Sequence, residues 1–565
     1  MLTRREAVEL IVREDPYYQL ERFEIAGVPW RVYRAAMPSL RAIFQSTTQF
    51  GDREFLVYGD ERLTFAEHYR LVAGLASRWA VQGVQKGDRV AIAMRNYPEW
   101  VMTFWAVQAL GAIAVPLNAW WTGAELAYAL RDSSPKILVA DGERLRSIGD
   151  QLPDLKIDQV VAVRSWRDLI PGAVAWDDEL ASLDLDSTLP DVAISPDDDA
   201  TIMYTSGTTG LPKGAIASQR NHATNLRNTE LNGAAALKMI GASLPVDLPQ
   251  TSVLQTFPFF HIGGLSGLYS ATGFGAKLCL MYKWNTEEAV KLIEQEKINA
   301  VAMVPTLLRR LLEYADNHGS ALPTVAGMAS GGAPVPPDLI RQMEGQFDRR
   351  VSPANGYGLT ETTSAVTINS GAEYSRHPES VGRLVPGADM RSVDPDSGQD
   401  RAVGEIGELW FRGPNIVRGY WNKPEETAAA FTDGWFHTGD LGYIDGEGLV
   451  YVVDRLKDVI IRSGENVYCA EVEAVIFEDP TVADVAVIGL PHPSWGEEVV
   501  AIVERQPGTR VKTSTLQQHI ASRLARFKVP TQIIFTEEPL PRTATGKVLK
   551  RELRERYADS START

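Results

Sequence analysis

Residues Ile202 to Ala215 read IMYTSGTTGLPKGA, an apolar run that ends at Tyr204 and opens into hydroxyls, three glycines and a lysine. A strand that opens into such a loop offers an anion three kinds of partner. Glycines let backbone N–H groups come close, Thr205, Ser206, Thr208 and Thr209 supply rotatable donors, and Lys213 supplies a point charge. The stretch reads as a phosphate loop at a strand end. It is not a Walker A loop, because the fifth residue after Gly207 is Pro212, and Gly214 follows Lys213 where Ser or Thr would be needed. A P-loop fold is therefore not expected.

Outward from this loop, helical spacings alternate with short apolar strands through residues 120–163, 253–304 and 328–354, the texture of α/β layers with parallel pairing. Glu99 to Leu110 has helical spacing, Gly111 suits a left-handed helix end, and Ile113 to Pro116 reads as a buried strand. From Gly382 the Gly-bounded strands GELWFRG, GWFHTGDLGYID and GLVYVVDR predict a small antiparallel or barrel-like sheet. After Arg455 come two strands (VADVAVIGLP, EEVVAIVER), a helix over Thr513 to Ala525 and a last strand, TQIIFTE. The expected fold class is thus α/β: a large N-terminal domain of layered α/β sheets with a small barrel-like β subdomain, followed by a small α+β C-terminal domain.

Composition narrows the function. A chain of 565 residues with 44% hydrophobic residues is too long for one core and too apolar for disorder. Lys+Arg 57 against Asp+Glu 72, a net charge of -15, argues against general nucleic-acid or membrane-surface binding. Any anionic ligand must meet locally placed cations. Cys279 and Cys469 are too few for a disulfide framework or thiolate metal cluster, and a reducing cytoplasm fits best. The start, MLTRREAVELIVRED, lacks the uninterrupted apolar core of a signal peptide, and Trp100 to Val115 is shorter than the ~20 residues a membrane crossing needs. No integral membrane segment is expected.

YTSGTTGLPKG resembles the signature loop of the AMP-forming acyl-CoA synthetases, the fatty-acid–CoA ligase-like members of a family that also contains luciferases and peptide-synthetase adenylation domains. Six companion motifs follow in the family's order: PFFHIGG (Pro258 to Gly264), SGGAP (Ser330 to Pro334), NGYGLTETT (Asn355 to Thr363), GWFHTGD (Gly434 to Asp440), DRLKDVIIRSGENV (Asp454 to Val467) and PRTATGK (Pro541 to Lys547). The likeness spans Ser39 to Leu553. It implies a 1–38 N-terminal extension, an AMP-binding domain over 39–455, a mobile C-terminal domain over 456–553 and a loose tail over 554–565.

On residue type alone, Tyr357 and His261 read more readily as core side chains, Asp440 as a turn aspartate, Arg455 as a surface ion-pair partner and Lys547 as a solvated lysine. The resemblance gives each a role. Thr205, Ser206, Gly207, Thr208, Thr209, Gly210 and Lys213 would cradle phosphates. Gly332, Ala333, Pro334, Asn355, Gly356, Tyr357 and Gly358 would hold the purine, and Asp440 and Arg455 the ribose. Glu361, with Thr205, would hold Mg²⁺, and Thr360 a phosphate oxygen. His261 would orient the reacting carboxylate at the mouth of an acyl pocket lined by Ile262, Gly263, Gly264, Val304, Gly332, Ala333 and Gly358. Lys547 would screen the carboxylate from the α-phosphate, a like-charge encounter that costs about 4 kcal/mol at 4 Å near a protein surface.

The implied reaction joins a carboxylic acid to coenzyme A through an acyl-adenylate, with ATP and Mg²⁺. Its two steps need different neighbours, so the small domain would rotate about Lys457 and bring Ser463, Gly464 and Glu465 to the thiol substrate. From the residues alone, a hinge and an ordinary polar turn stand level there. PFFHIGG carries no carboxylate to pair with an amino acid's ammonium, so the acid is expected to be fatty or otherwise hydrophobic. No tryptophan lies between Phe257 and Leu268, which weakens a strictly long-chain reading. A ligase that loads a carrier protein and a non-catalytic nucleotide-binding regulator are the alternatives, and a homodimer is compatible with either.

Overall fold

The computed structural model describes residues 2–25, 27–165, 170–205, 211–242, 249–506, 508–543 and 546–562. Two sheets dominated by parallel pairing flank a layer of buried helices. One has seven strands among the described residues, in the order Lys213–Ser218, Asp199–Thr205, Ile113–Pro116, Arg89–Ala93, Ile137–Asp141, Gln159–Val163, Val174–Ala175. The other has nine, with Ser364–Ser370, Ser352–Leu359, Gly327–Gly331, Ala300–Met303 and Ser252–Gln255 side by side near one edge.

The helix Pro98–Ala109 shows why these layers close. Proline opens its first turn, all twelve of its residues are buried, and Gly111 ends it with φ +64°. A helix buried on every face has no solvent side, so it lies between the sheets. There Trp100, Phe104 and Trp105 pack with Phe44, Phe259 and Tyr269 in one core. The parallel strands on either side are continuous apolar runs because both of their faces are covered.

The texture change at Gly382 is a five-stranded antiparallel sheet that contains Asp389–Val393, Gly407–Arg412, Trp435–Ile444 and Val450–Arg455. The small domain has its own sheet around Val482–His492 and Gly496–Arg505, and its own core. Two boundaries differ from the sequence reading. The helix expected over Thr513 to Ala525 is Thr513–Ala521, capped at Ser522, and the chain passes from it into the separate 3₁₀ turn Arg526–Lys528. Residues 554–562 are no loose tail, because the helix Lys550–Thr562 runs through them, and Arg554 pairs with Asp458 at 2.8 Å.

The N-terminal extension is a clasp. Its helix Arg4–Glu14 is closed by a capping box between Thr3 and Glu6, and a hairpin pairs Leu20–Ile25 with Val28–Tyr33. Arg4 donates to the Ile368 carbonyl (2.7 Å) and to Asn232 (2.6 Å), Tyr33 to Asn228 (2.7 Å) and Arg31 to Asp389 (2.8 Å). The extension therefore ties the helix Gln219–Met239 both to the large sheet and to the antiparallel subdomain.

At the domain junction, Leu456–Asp458 forms a single 3₁₀ turn. Asp454, just before it, accepts from the backbone N–H groups of Cys469 and Ala470 and so caps the helix Cys469–Phe477, which lies beyond it.

Two core histidines make stability depend on pH. Burial holds His68 and His222 at a pKa of about 3, against 6.5 unperturbed. The unfolded chain therefore binds protons that the native chain does not as pH falls below 6.5. Each histidine then removes up to about 1.4 kcal/mol of stability per pH unit until the folded pKa is reached. Denaturant midpoints measured from pH 7.5 to 4.5 should fall below pH 6.5, with a shallower slope in His222→Gln.

Candidate active site

The strand Asp199–Thr205 ends where the phosphate loop begins. Thr205 lies opposite Lys213 across the hairpin, and its hydroxyl donates to the Lys213 carbonyl at 3.4 Å. Ser206, Gly207, Thr208, Thr209 and Gly210 fall outside the described residues. Gly214 is dictated by packing, since a Cβ there would stand 2.6 Å from the Ile202 side chain.

One functional neighbour was missed in the sequence, Tyr420. The Trp421 N–H donates to the Gly214 carbonyl at 2.8 Å, which stitches the Tyr420 segment to the strand of Lys213. The Lys213 ammonium lies over the Tyr420 ring, 5.3 Å from its centre, and the Tyr420 hydroxyl donates to Oε1 of Glu361 at 2.7 Å. One aromatic side chain thus links Lys213 to the buried carboxylate of Glu361. The Gly-Tyr-Trp run at 419–421 was visible, but its pairing with residue 214 is long-range and leaves no local signal.

The parallel strands Gly327–Gly331 and Ser352–Leu359 lie side by side, with Gly331 opposite Gly356. Their carboxyl ends bring Gly332, Ala333 and Pro334 beside Asn355, Gly356, Tyr357 and Gly358, the usual place for a ligand in such a sheet. Asp440 and Arg455 face each other across two antiparallel strands, with Arg455 Nε on Oδ1 at 2.8 Å. The Tyr357 hydroxyl donates to Oδ2 at 2.6 Å, and burial followed by the Asp440 charge pushes that phenol well up. Each oxygen of Asp440 therefore has one partner and keeps lone-pair capacity for a further donor. Tyr357, expected as a plate for a base, also has its ring plane fixed through Asp440.

Thr360 and Glu361 ride on a tight turn. Thr362 accepts from the Leu359 N–H at 2.8 Å and donates to the Ser364 carbonyl at 2.6 Å, while Thr363 and Ser364 have φ +49° and +78°. Such backbone costs of order 1–3 kcal/mol per residue and persists only where its surroundings hold it. A Cβ on Gly358 would stand 1.9 Å from the Ser364 carbonyl oxygen, and one on Gly264 would stand 2.0 Å from that of Pro258. Those two glycines serve close backbone approach. Gly332, at φ +77°, leaves open the space before Phe257 and Val304, 3.5 and 3.7 Å from where its Cβ would be.

His261 caps the helix Ile262–Phe274, with Nδ1 accepting from the Gly263 N–H at 3.1 Å. That bond assigns the proton to Nε2. Burial, reinforced by Lys547, takes its pKa to about 3, so the ring is neutral near pH 7 and suits an orienting donor. Ile262 and Val304 are buried beside it, and the Ser266 and Ser364 hydroxyls meet at 3.1 Å.

Lys547 comes from the small domain. Gly546, at φ +81°, comes so close to Val304 that a Cβ would lie 3.3 Å away. Lys547 is exposed at the surface, yet the protein around its ammonium lowers its pKa, followed by Arg455, with Asp440 and Glu361 opposing. Lys547, Asp440, Arg455 and Glu361 therefore share one cleft. Ser463, Gly464 and Glu465 are elsewhere, exposed on a turn where the Ser463 N–H bonds the Trp495 carbonyl at 2.7 Å. Lys457 is exposed on the 3₁₀ turn.

Among the described residues no cluster of three or more His, Cys, Asp or Glu could hold a metal ion by itself. Glu361, with Oε1 taken by Tyr420, fits an ion that a single carboxylate shares with nucleotide phosphates, the usual manner of Mg²⁺. No helix among the described residues is long and apolar enough to cross a membrane.

The AMP-binding enzyme family model matches residues 43–421, and that of the AMP-binding enzyme C-terminal domain matches 471–547. A feruloyl-CoA synthase of an Amycolatopsis species is 36% identical over 88% of this chain and 95% of its own. ATP-bound MatB from Rhodopseudomonas palustris superposes with a TM-score of 0.80 at 30% identity, over 93% of this chain and all (100%) of MatB. O-succinylbenzoate coenzyme A synthetase from Bacillus subtilis, in complex with ATP and magnesium ion, gives a TM-score of 0.75 at 28% identity, over 92% and 99% of the two chains.

Tyr420→Phe keeps the ring over Lys213 and removes the bond to Glu361. Losing a group that orients a metal-binding carboxylate costs roughly 10-fold or more in affinity. The Mg²⁺ concentration that half-saturates ATP-dependent turnover should rise by about that factor, and an unchanged Mg²⁺ titration would rule the link out.

Proposed function

We propose that this chain, which belongs to the AMP-binding enzyme family, joins a hydrophobic carboxylic acid, fatty or aryl, to coenzyme A. It is an AMP-forming acid–thiol ligase. ATP and the carboxylate give an acyl-adenylate and pyrophosphate, and the thiol of coenzyme A then displaces AMP. The observation that carries the residue-level reading is the convergence of Lys547 from the small domain on Asp440, Arg455 and Glu361 of the large one.

In this reading, Asp440, oriented by Tyr357 and Arg455, takes the ribose hydroxyls, and the slot between Gly332–Pro334 and Tyr357 takes the purine. Lys213 and the loop beginning at Thr205 hold the distal phosphates, with Thr360 on a further phosphate oxygen. Mg²⁺, when bound through Glu361, neutralises phosphate charge. The acid lies with its carboxylate near Nε2 of His261 and its tail between Ile262, Val304 and the space left open by Gly332. A carboxylate is already the nucleophile at neutral pH, so no residue need remove a proton. Lys547 supplies the cation that lets carboxylate and α-phosphate approach, and preplaced groups of this kind are typically worth about 10²–10³ in rate. Rotation about Lys457 then withdraws Lys547 and presents Ser463, Gly464 and Glu465 to the thiol substrate.

The buried Ile262 and Val304 and the absence of Asp or Glu from PFFHIGG support the hydrophobic class. A cytoplasmic location and a homodimer belong to the same reading, the latter checked by light scattering. The substrate class is tested by AMP release with a panel of medium-chain, aryl and amino acids. Turnover should be confined to the first two, and selective turnover of amino acids would overturn it. Lys547→Ala should lower acid-dependent pyrophosphate exchange at least 100-fold and spare thioester formation from supplied acyl-adenylate. Lys457→Pro should do the reverse, and an equal loss of both half-reactions would rule out the hinge.

A further inference from the structure

Lys547 is carried to the cleft on a turn closed by hydrogen bonds between its ends. Its neighbours explain how the turn keeps its shape. Arg542 and Val548 form a single antiparallel bridge, the Thr543 N–H bonds the Lys547 carbonyl at 2.8 Å, and the Thr543 hydroxyl accepts from the Lys547 N–H at 3.1 Å. Across the back of this turn lies the Arg542 guanidinium. One of its nitrogens donates to the carbonyl of Gly546, the residue before the lysine, and the other to Oδ2 of Asp484.

Asp484 is itself fixed. It is 7% exposed, and its Oδ1 accepts from the Val485 N–H at 2.9 Å, at a register shift in the strand Val482–His492. It lies directly opposite Glu504 on the neighbouring strand, and Glu504 accepts from the Leu540 N–H at 3.4 Å, just before the PRTATGK segment. Two carboxylates placed across a strand pair repel each other and destabilise a sheet. Here that cost is offset by the one guanidinium that also grips the turn. A fork-shaped donor set can hold a carbonyl and a carboxylate at a fixed angle, which a lysine at the same place cannot.

We propose that Arg542, anchored on Asp484, is the positioning residue for Lys547: it fixes the Gly546 carbonyl so that the lysine leaves the turn toward the cleft. Arg542 touches no reacting atom and acts only through the lysine. This rests on the reading of Lys547 as the adenylation cation, and the two claims are tested together.

The experiment compares Arg542→Ala, Arg542→Lys, Asp484→Asn, Lys547→Ala and the double variant Arg542→Ala/Lys547→Ala in both half-reactions of the full-length enzyme. Arg542→Ala and Asp484→Asn should lower the adenylation rate about 10- to 100-fold, mainly in kcat, with thioester formation from supplied acyl-adenylate within about twofold of wild type. Arg542→Lys should recover only part of the loss, and the double variant should be no slower than Lys547→Ala alone. Full adenylation in Arg542→Ala, equal loss of both half-reactions, or multiplicative losses in the double variant would each overturn the positioning role. Full adenylation in Lys547→Ala would instead remove the reading of the lysine on which it stands.

Discussion

The constraint on which the rest depends is that two anions, a carboxylate and a triphosphate, must be brought together on a protein whose own net charge is -15. Charges of like sign a few ångströms apart repel by several kcal/mol in a protein environment, so cations must be delivered locally and held. In the proposed reading the chain does this from both lobes. Lys213 and Arg455 stand on sheet strands of the large domain and Lys547 on a turn of the small one, and each has a neighbour that would hold it in place. Tyr420 lies under Lys213, Asp440 beside Arg455, and Arg542 with Asp484 behind Lys547.

The same economy explains the backbone around the cleft. Gly214, Gly264 and Gly358 have no space for a side chain, and Thr363 and Ser364 accept left-handed backbone to turn the chain back after Glu361. A site that holds several charges in fixed relation cannot relax around them as water would. Its rigidity has to come from the covalent chain and from packing on a scaffold such as the fully buried helix Pro98–Ala109.

Much of this was legible in the sequence, for reasons that differ by element. The helix ending at Gly111 and the strand Ile113–Pro116 were readable because burial on every side leaves a mostly apolar run with helical spacing that Gly111 punctuates, and the short Gly-bounded strands because their punctuation is local. Asp440, Glu361 and Lys547 could be assigned only through motif order, since an isolated aspartate or lysine in a turn carries no signal. Tyr420, Asp484 and the clasp made by Arg4, Arg31 and Tyr33 were invisible for one reason: each acts on a partner far away in the chain, and no periodicity reports such pairing. The helix through 554–562 was mistaken for a tail because its polar composition conceals the ion pair between Arg554 and Asp458.

Asp454 stands before the 3₁₀ turn, and the amides it caps, those of Cys469 and Ala470, lie after it. The turn is therefore bridged by a bond that spans it like a strap, and the proposed rotation about Lys457 would have to release that strap. A cap of this kind is worth about 1 kcal/mol, a few-fold in population. Under the proposed rotation, that bias would favour the arrangement with the lysine at the cleft without trapping it there.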